Sequence, residues 1–264
     1  MKLGCCISML ATTATQIGDE NARLLSDLGY DYLELPLAQT MALSDNEFAQ
    51  LNKNINSIGI PVDACNNFFP ATLRLTGESA DLGKALEYAR CAADRAAQMG
   101  VEIIVLGSSG AKNIPEGFSH DLAKDQFVQL LRGLQPIVSP LGITIALEPL
   151  NRNESNFIIN ASEGLAIMKE ADCENIRLLV DYYHMRMEDE SFEVIKAAGK
   201  NLCHVHIAAK EGRVFPKQGD GEDYQTFFDT LKSVGYDARI SVEAKSTDFT
   251  QDAEAASELL RKFM

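Results

Sequence analysis

Eight short apolar runs recur along the chain, each followed by a polar or amphipathic stretch, and this alternation limits the possible folds more than any other feature. The runs are KLGCCIS (2–8), YDYLELP (30–36), PVDACNN (61–67), VEIIVLG (101–107), ITIALE (143–148), IRLLVD (176–181), NLCHVHI (201–207) and RISVEA (239–244). They are bounded by polar segments and mostly rich in β-branched residues, so they read as buried parallel strands. The intervening segments carry the helical period. TQIGDENARLLSDLG and LSDNEFAQLNKNINSIG close on Gly29 and Gly59, the usual helix stop. SADLGKALEYARCAADRAAQMG places Leu82, Leu86, Ala89, Ala93 and Ala96 at helical spacing. DLAKDQFVQLLRGLQPIVSPLG contains Pro136, expected as a kink or local end. ASEGLAIMKEA, FEVIKAAG, YQTFFDTLKSVG and DFTQDAEAASELLRKFM complete the series. Eight βα units in 264 residues, with no linker or low-complexity tract, predict a single (β/α)8 TIM barrel over residues 1–264. An open doubly wound sheet is the alternative, but no G-x-G-x-x-G follows the first strand and no P-loop occurs.

The chain is 46% hydrophobic, enough for a sizeable core, and carries a formal charge of −14. An acidic surplus argues against gripping nucleic-acid phosphates or anionic membranes. No apolar stretch reaches about 18 residues, and Met1-Lys2 leads straight into LGCCIS without a signal-peptide pattern. Cysteines stand at 5, 6, 65, 91, 173 and 203 with no C-x-x-C pair, which speaks against structural zinc. The expectation is a cytoplasmic protein with reduced, mostly buried thiols. Cys5 and Cys65 fall near strand ends, where they could face a pocket.

Four polar residues end apolar runs in the second half: Glu148, Asp181, His206 and Glu243. Active groups of such barrels sit at the carboxyl ends of strands. Charged residues in apolar strands are costly unless paired or metal-bound. Each alone has a bland explanation: Asp181 could be a helix N-cap, and a lone histidine in VHI could be a hydrogen-bonded core residue. Together they form a ring of three carboxylates and one imidazole. That donor set suits Mn²⁺, with Mg²⁺ or Co²⁺ as alternatives, and the lack of thiolate disfavours zinc. His204 shares a strand face with His206, so the alternation does not choose between them; His206 is favoured because it lies nearer the strand end.

ALEPLNRNE (146–154), VDYYHM (180–185), HVHIA (204–208) and SVEA (241–244) resemble the sugar isomerase/epimerase branch of the xylose isomerase-like barrels. The ketose 3-epimerases, which include D-tagatose and D-allulose 3-epimerases, are the closest type. The likeness covers strands five to eight; the first four units match only in rhythm and length. The resemblance implies that Glu148, Asp181, His206 and Glu243 bind the metal and that Glu148 and Glu243 form an acid–base pair. It further implies that His184 bonds the substrate near its carbonyl, that Glu154 holds the C1 end, and that Arg213 is the arginine of the strand-seven loop. Arg213 lies seven residues past His206 where six are expected, an offset that a one-residue insertion explains.

Beyond that set, Asn66 and Asn67 at the end of strand three can bond sugar hydroxyls or simply make a turn, and Asn67 is retained as a binding candidate. Phe68 and Phe69 either cover the pocket or pack under the loop. Lys210 and Lys245 read as surface lysines rather than Schiff-base formers. GDGED (219–223) reads as a turn and the cap of helix seven, because its acids would repel phosphate.

The function expected is a metal-dependent epimerase of a ketose or keto-sugar, acting through an enediolate. An isomerase of the hydroxypyruvate or aldose–ketose type, or a keto-glycoside lyase or deglycosidase, would use the same site. A three-zinc DNA-repair endonuclease on this barrel needs more histidines than the four present. A non-catalytic partner subunit is the remaining alternative, against which the complete ligand set argues. The expected partners are a small-molecule sugar and further copies of the chain in a dimer or tetramer, with no nucleic acid and no membrane.

Overall fold

The computed structural model of the chain describes residues 1–264. Eight parallel strands close into a barrel in sequence order. They are β1 (Lys2–Cys6), β2 (Tyr32–Pro36), β3 (Val62–Asn66), β4 (Ile103–Leu106), β5 (Thr144–Leu147), β6 (Ile176–Asp181), β7 (Leu202–Ile207) and β8 (Arg239–Val242). β8 returns to β1 in the register Lys2↔Arg239 to Cys5↔Val242, which closes the ring. The fold is the single TIM barrel that the alternation predicts.

The outer layer consists of α1 (Ala22–Asp27), α3 (Asp45–Ile58), α4 (Leu82–Met99), α6 (His120–Val138), α7 (Ala161–Ala171), α9 (Glu193–Ala198), α10 (Tyr224–Ser233) and α11 (Phe249–Leu260). Three short helices, α2 (Leu37–Met41), α5 (Ser109–Lys112) and α8 (Tyr182–Met187), sit directly on the carboxyl ends of β2, β4 and β6. Four to six residues are too few to show a helical period, so the sequence pattern does not mark them. α3 starts on a reciprocal capping box between Ser44 and Glu47 and stops at Gly59, whose φ is +86°.

In α4 the buried stripe is alanine: Ala85, Ala89, Ala92, Ala93 and Ala96. Leu82, expected in that stripe, is 40% exposed because it occupies the first turn, just beyond the Asp81 cap. Small residues let α4 lie close against the barrel and against α6. α6 runs through Pro136 and ends two residues later at Val138.

Most apolar side chains pack between the strands and the helices. The barrel interior is built in layers. Lys2, Asp63 and Arg239 form an ionic floor at the amino-terminal strand ends. Above it Tyr32, Ala64, Ile103, Val105, Ala146, Leu179 and Cys203 make a small apolar plug. A Cβ on Gly4 would stand 2.2 Å from Tyr32 Cζ, so glycine there lets the Tyr32 ring lie across the plug. Polar groups begin again above the plug and continue to the mouth. No helix is long and apolar enough to cross a membrane.

Candidate metal centre and active site

Each of the four strand-end residues reaches the barrel mouth through its own local device. Glu148 follows β5, and its main-chain N–H donates to Leu106 O across 3.2 Å. Its carboxylate lies over Gly107, where a Cβ would come within 2.1 Å of Oε2. The exit of β4 therefore needs glycine for Glu148 to turn inward. Asp181 ends β6 and has two jobs. Its Oδ1 accepts the Tyr183 N–H at 2.8 Å and caps α8, while its Oδ2 is buried without a hydrogen-bond partner. One oxygen of Asp181 thus serves as the cap, and the other stays free at the mouth. Glu243 follows β8, anchored by its N–H on Ile207 O at 3.1 Å.

His206 sits between the acids. Its Nδ1 lies 3.0 Å from Glu148 Oε1 and 3.3 Å from Glu243 Oε2. One donor atom from each of Glu148, Asp181, His206 and Glu243 lies within 4.8 Å of all the others. Ligands at about 2.1 Å from one ion stand roughly 3 to 4 Å apart, so a small inward adjustment would let these four share a divalent cation.

The electrostatics of the cluster fit such an ion. Burial pushes Asp181 up to about 7, against the pull of Arg213. Burial also raises Glu148. Glu243 is held well below the usual carboxylate range although burial opposes it, because Arg213 and His206 adjoin it. Three carboxylates crowded around one imidazole repel one another, and Asp181 Oδ2 has no donor. A hard divalent cation would remedy both.

Below this ring lies a residue that the sequence reading passed over. Glu34, in the interior of β2, is fully buried. Its Oε1 is 2.9 Å from His206 Nε2 and its Oε2 is 2.8 Å from His204 Nε2. Ser241 Oγ donates to Oε2 at 2.5 Å and is itself 2.8 Å from Tyr32 OH. Despite burial, the two imidazoles hold Glu34 well below the ordinary carboxylate range. An ionised Glu34 fixes a proton on His206 Nε2 and leaves Nδ1 for the ring, the arrangement common around metal-binding histidines. His206, not His204, therefore brings a nitrogen into the cluster; His204 lies one layer deeper. The available signal was a lone acid in YLELP sharing a strand face with Tyr32.

Around the ring, His184 Nδ1 faces two donors, the Asn151 N–H at 3.2 Å and Asn151 Nδ2 at 2.8 Å. Its proton is therefore on Nε2, which points toward Asp181 Oδ2 at 3.5 Å. Burial, helped by the charges of Arg213 and Lys112, keeps this ring neutral.

Arg213 does reach the mouth. Its Nη2 is 2.5 Å from Glu243 Oε2 and 3.8 Å from Asp181 Oδ2; its Nη1 is 3.2 Å from Glu154 Oε1. The guanidinium also lies over the Tyr183 ring at 4.7 Å. A left-handed pair, Gly212 at φ +76° and Arg213 at φ +50°, turns the loop back on itself.

The Asn67 side chain bonds none of the residues of the ring. It is exposed at the turn after β3, with φ +49°, and its neighbour Asn66 takes the inward position. Asn66 Nδ2 donates to Glu243 Oε1 at 3.2 Å, and its buried Oδ1 is unpartnered. Phe68 and Phe69 are buried and pack with Tyr88 under the loop rather than over the pocket. Cys5 and Cys65 are packed in the core between strands and helices. Cys6 is the thiol near the site, 3.8 Å from His206 Nε2. Lys210 pairs with Asp189 at 3.2 Å, Lys245 is exposed, and Asp223 caps α10. The other metal-capable grouping, Cys6 with Glu34 and His206, shares two residues with the network just described.

Residues 22–263 match the profile of a family described as the xylose isomerase-like TIM barrel. The chain belongs to that family. Among its relatives, the D-psicose 3-epimerase of Agrobacterium fabrum is 30% identical over 199 residues, which are 72% of this chain and 67% of that enzyme. The 2-oxo-tetronate isomerase of Haemophilus influenzae is 30% identical over 136 residues, 50% of this chain and 52% of that one. A D-allulose 3-epimerase from Methylomonas sp., solved in complex with D-allulose, superposes with a TM-score of 0.87 at 23% identity, over 100% of this chain and 97% of that one. These relatives are carbohydrate epimerases and isomerases.

Proposed function

We propose that the protein is a divalent-metal-dependent epimerase that inverts the carbon beside the carbonyl of a ketose or keto-sugar. The observation that carries this is the pair Glu148 and Glu243, which approach His206 Nδ1 from β5 and β8 at 3.0 and 3.3 Å. An ion held by Glu148, Asp181, His206 and Glu243, with Mn²⁺ the best match to the donors, would supply the positive charge that acidifies a carbon-bound proton next to a carbonyl.

The chain's own residues do the rest. One of the two glutamates removes the proton from one face of the substrate carbon. The other delivers a proton to the opposite face, so that the configuration inverts. General acid–base groups of this kind contribute about 10²- to 10⁴-fold. The His184 Nε2–H donates toward the substrate oxygen that gains charge. Arg213 and Glu154 bind hydroxyls at the far end, and Asn66 Oδ1 accepts from another hydroxyl. Arg213 and His206 hold Glu243 low although burial opposes them, and burial raises Glu148; a divalent cation bound between them would keep both carboxylates ionised.

The reading extends to a reducing, cytoplasmic setting and to a dimer or tetramer, which light scattering on the purified protein would measure. All six cysteines are free, and burial pushes the Cys203 thiol up to about 12.

The test is incubation with Mn²⁺ and a panel of ketoses and keto-sugars in D₂O, followed by NMR. Deuterium entering at carbon 3 with inversion is expected. Entry at carbon 1 or 2, with the carbonyl moved, would replace the epimerase by an isomerase, a second reading that the likeness to the 2-oxo-tetronate isomerase supports. No incorporation with any sugar would refute both.

A further inference from the structure

Lys112 is fully buried, at 0% exposure. It ends α5, on the exit of β4, and its Nζ donates to the main-chain O of Glu148 at 3.0 Å. No carboxylate pairs with it. An ammonium taken out of water with a carbonyl as its only acceptor is unfavourable, and a chain keeps such a group where its position serves another purpose.

The segment around Lys112 is clamped from both sides. Thr76 Oγ1 donates to Lys112 O and to Asn113 O, each at 3.0 Å. Arg74 donates to Gly110 O at 2.5 Å. Ser155, in the loop after β5, donates to Asn113 Oδ1 at 2.6 Å. The β4 exit thus meets Glu148 at two points. Gly107 leaves room for its carboxylate, and Lys112 grips its carbonyl.

We propose that Lys112 is a positioning residue: it pins the main chain of Glu148 where β5 ends and so sets the angle at which that carboxylate meets the cation and the substrate. This rests on the reading of Glu148 as a metal ligand and acid–base group. The competing role is that of a loop anchor, which would affect folding alone.

The experiment compares wild type with Lys112→Met, Lys112→Gln and Lys112→Arg. Mn²⁺ affinity is measured by titration calorimetry, Tm on metal-free protein, and kcat and KM by deuterium exchange at saturating Mn²⁺. Lys112→Met, which fills the space but donates nothing, is expected to bind Mn²⁺ about 10- to 100-fold more weakly and to lose kcat by a similar factor, with KM within about twofold. Lys112→Arg, which still donates, should recover most of the loss. If Lys112→Met does not fold, Lys112→Gln carries the comparison and should show the same loss, being too short to reach the carbonyl.

Affinity and kcat within about twofold of wild type in a folded variant would overturn the proposal, as would a fall in Tm alone. A wild type that takes up Mn²⁺ but labels no sugar would defeat the epimerase reading while the affinity comparison still decides Lys112. A wild type that takes up no Mn²⁺ would sink the metal site and this inference together.

Discussion

At the floor of the barrel Asp63 lies between Lys2 Nζ, 2.9 Å away, and Arg239 Nε, 2.8 Å away, and Arg239 also holds Glu102 at 2.7 Å. At the mouth Glu148, Asp181 and Glu243 crowd around one imidazole, and Asp181 and Glu243 share one arginine. The floor alternates sign, and Asp63 is held below its ordinary value, its two cations outweighing the effect of burial. The mouth repeats one sign, and Asp181 is driven up. Unpartnered buried atoms also gather at the mouth: Asp181 Oδ2, His184 Nε2, Asn66 Oδ1 and Arg213 Nε. Buried polar groups are nearly always paired in a protein at rest, so a cluster of exceptions marks the place where a ligand completes the set. The floor serves stability, and the mouth gives up stability to keep a binding geometry.

The contrast can be broken first at the acid–base pair. Glu148→Gln or Glu243→Gln should lower turnover about 10²- to 10⁴-fold, read by deuterium exchange, with circular dichroism unchanged. A second break lies one layer down: Glu34→Gln should weaken Mn²⁺ binding about 10- to 100-fold by calorimetry, because His206 loses the acceptor that fixes its proton on Nε2. Third, Gly107→Ala places a methyl where the Glu148 carboxylate now sits. It should raise the Kd for Mn²⁺ about tenfold while the barrel still folds.

The smallest effect belongs to the floor. Asp63→Asn should leave exchange activity untouched and cost about 1 kcal/mol in denaturant titration at pH 7, a value discounted for partial solvent screening. Because folding depresses the Asp63 pKa, its contribution is present above the unfolded value near 3.9 and disappears as pH falls through the folded value. The stability gap between wild type and Asp63→Asn should therefore narrow below about pH 4. A loss of activity in Asp63→Asn would erase the division between floor and mouth.

The barrel was legible because its signals are local. β6 and α7 match the sequence reading residue for residue, since a buried apolar run and a helical stripe each declare themselves within one segment. The ring of Glu148, Asp181, His206 and Glu243 was legible for a related reason: each acid or imidazole stands at the end of an apolar run, and barrel topology brings those ends together.

What was missed depends on contacts distant in sequence. Glu34 stands inside its strand rather than at the end, and its partners are 170 and 172 residues away. Lys112 belongs to the polar stretch after β4, where nothing in the local sequence separates it from a surface lysine; only packing against the Glu148 carbonyl does. The choice of Asn66 over Asn67 turned on where β3 ends, and a shift of one residue exchanges inside for outside. Cys6 rather than Cys5 or Cys65 approaches the site for the same reason.

The central claim is that one cation is held jointly by Glu148, Asp181, His206 Nδ1 and Glu243. Crystals grown with Mn²⁺ and measured at the manganese absorption edge test it most directly. The account predicts a single strong anomalous peak about 2.1 to 2.3 Å from one atom of each of the four. No peak inside the barrel, or a peak that leaves Glu148 or Glu243 out of coordination, would contradict it.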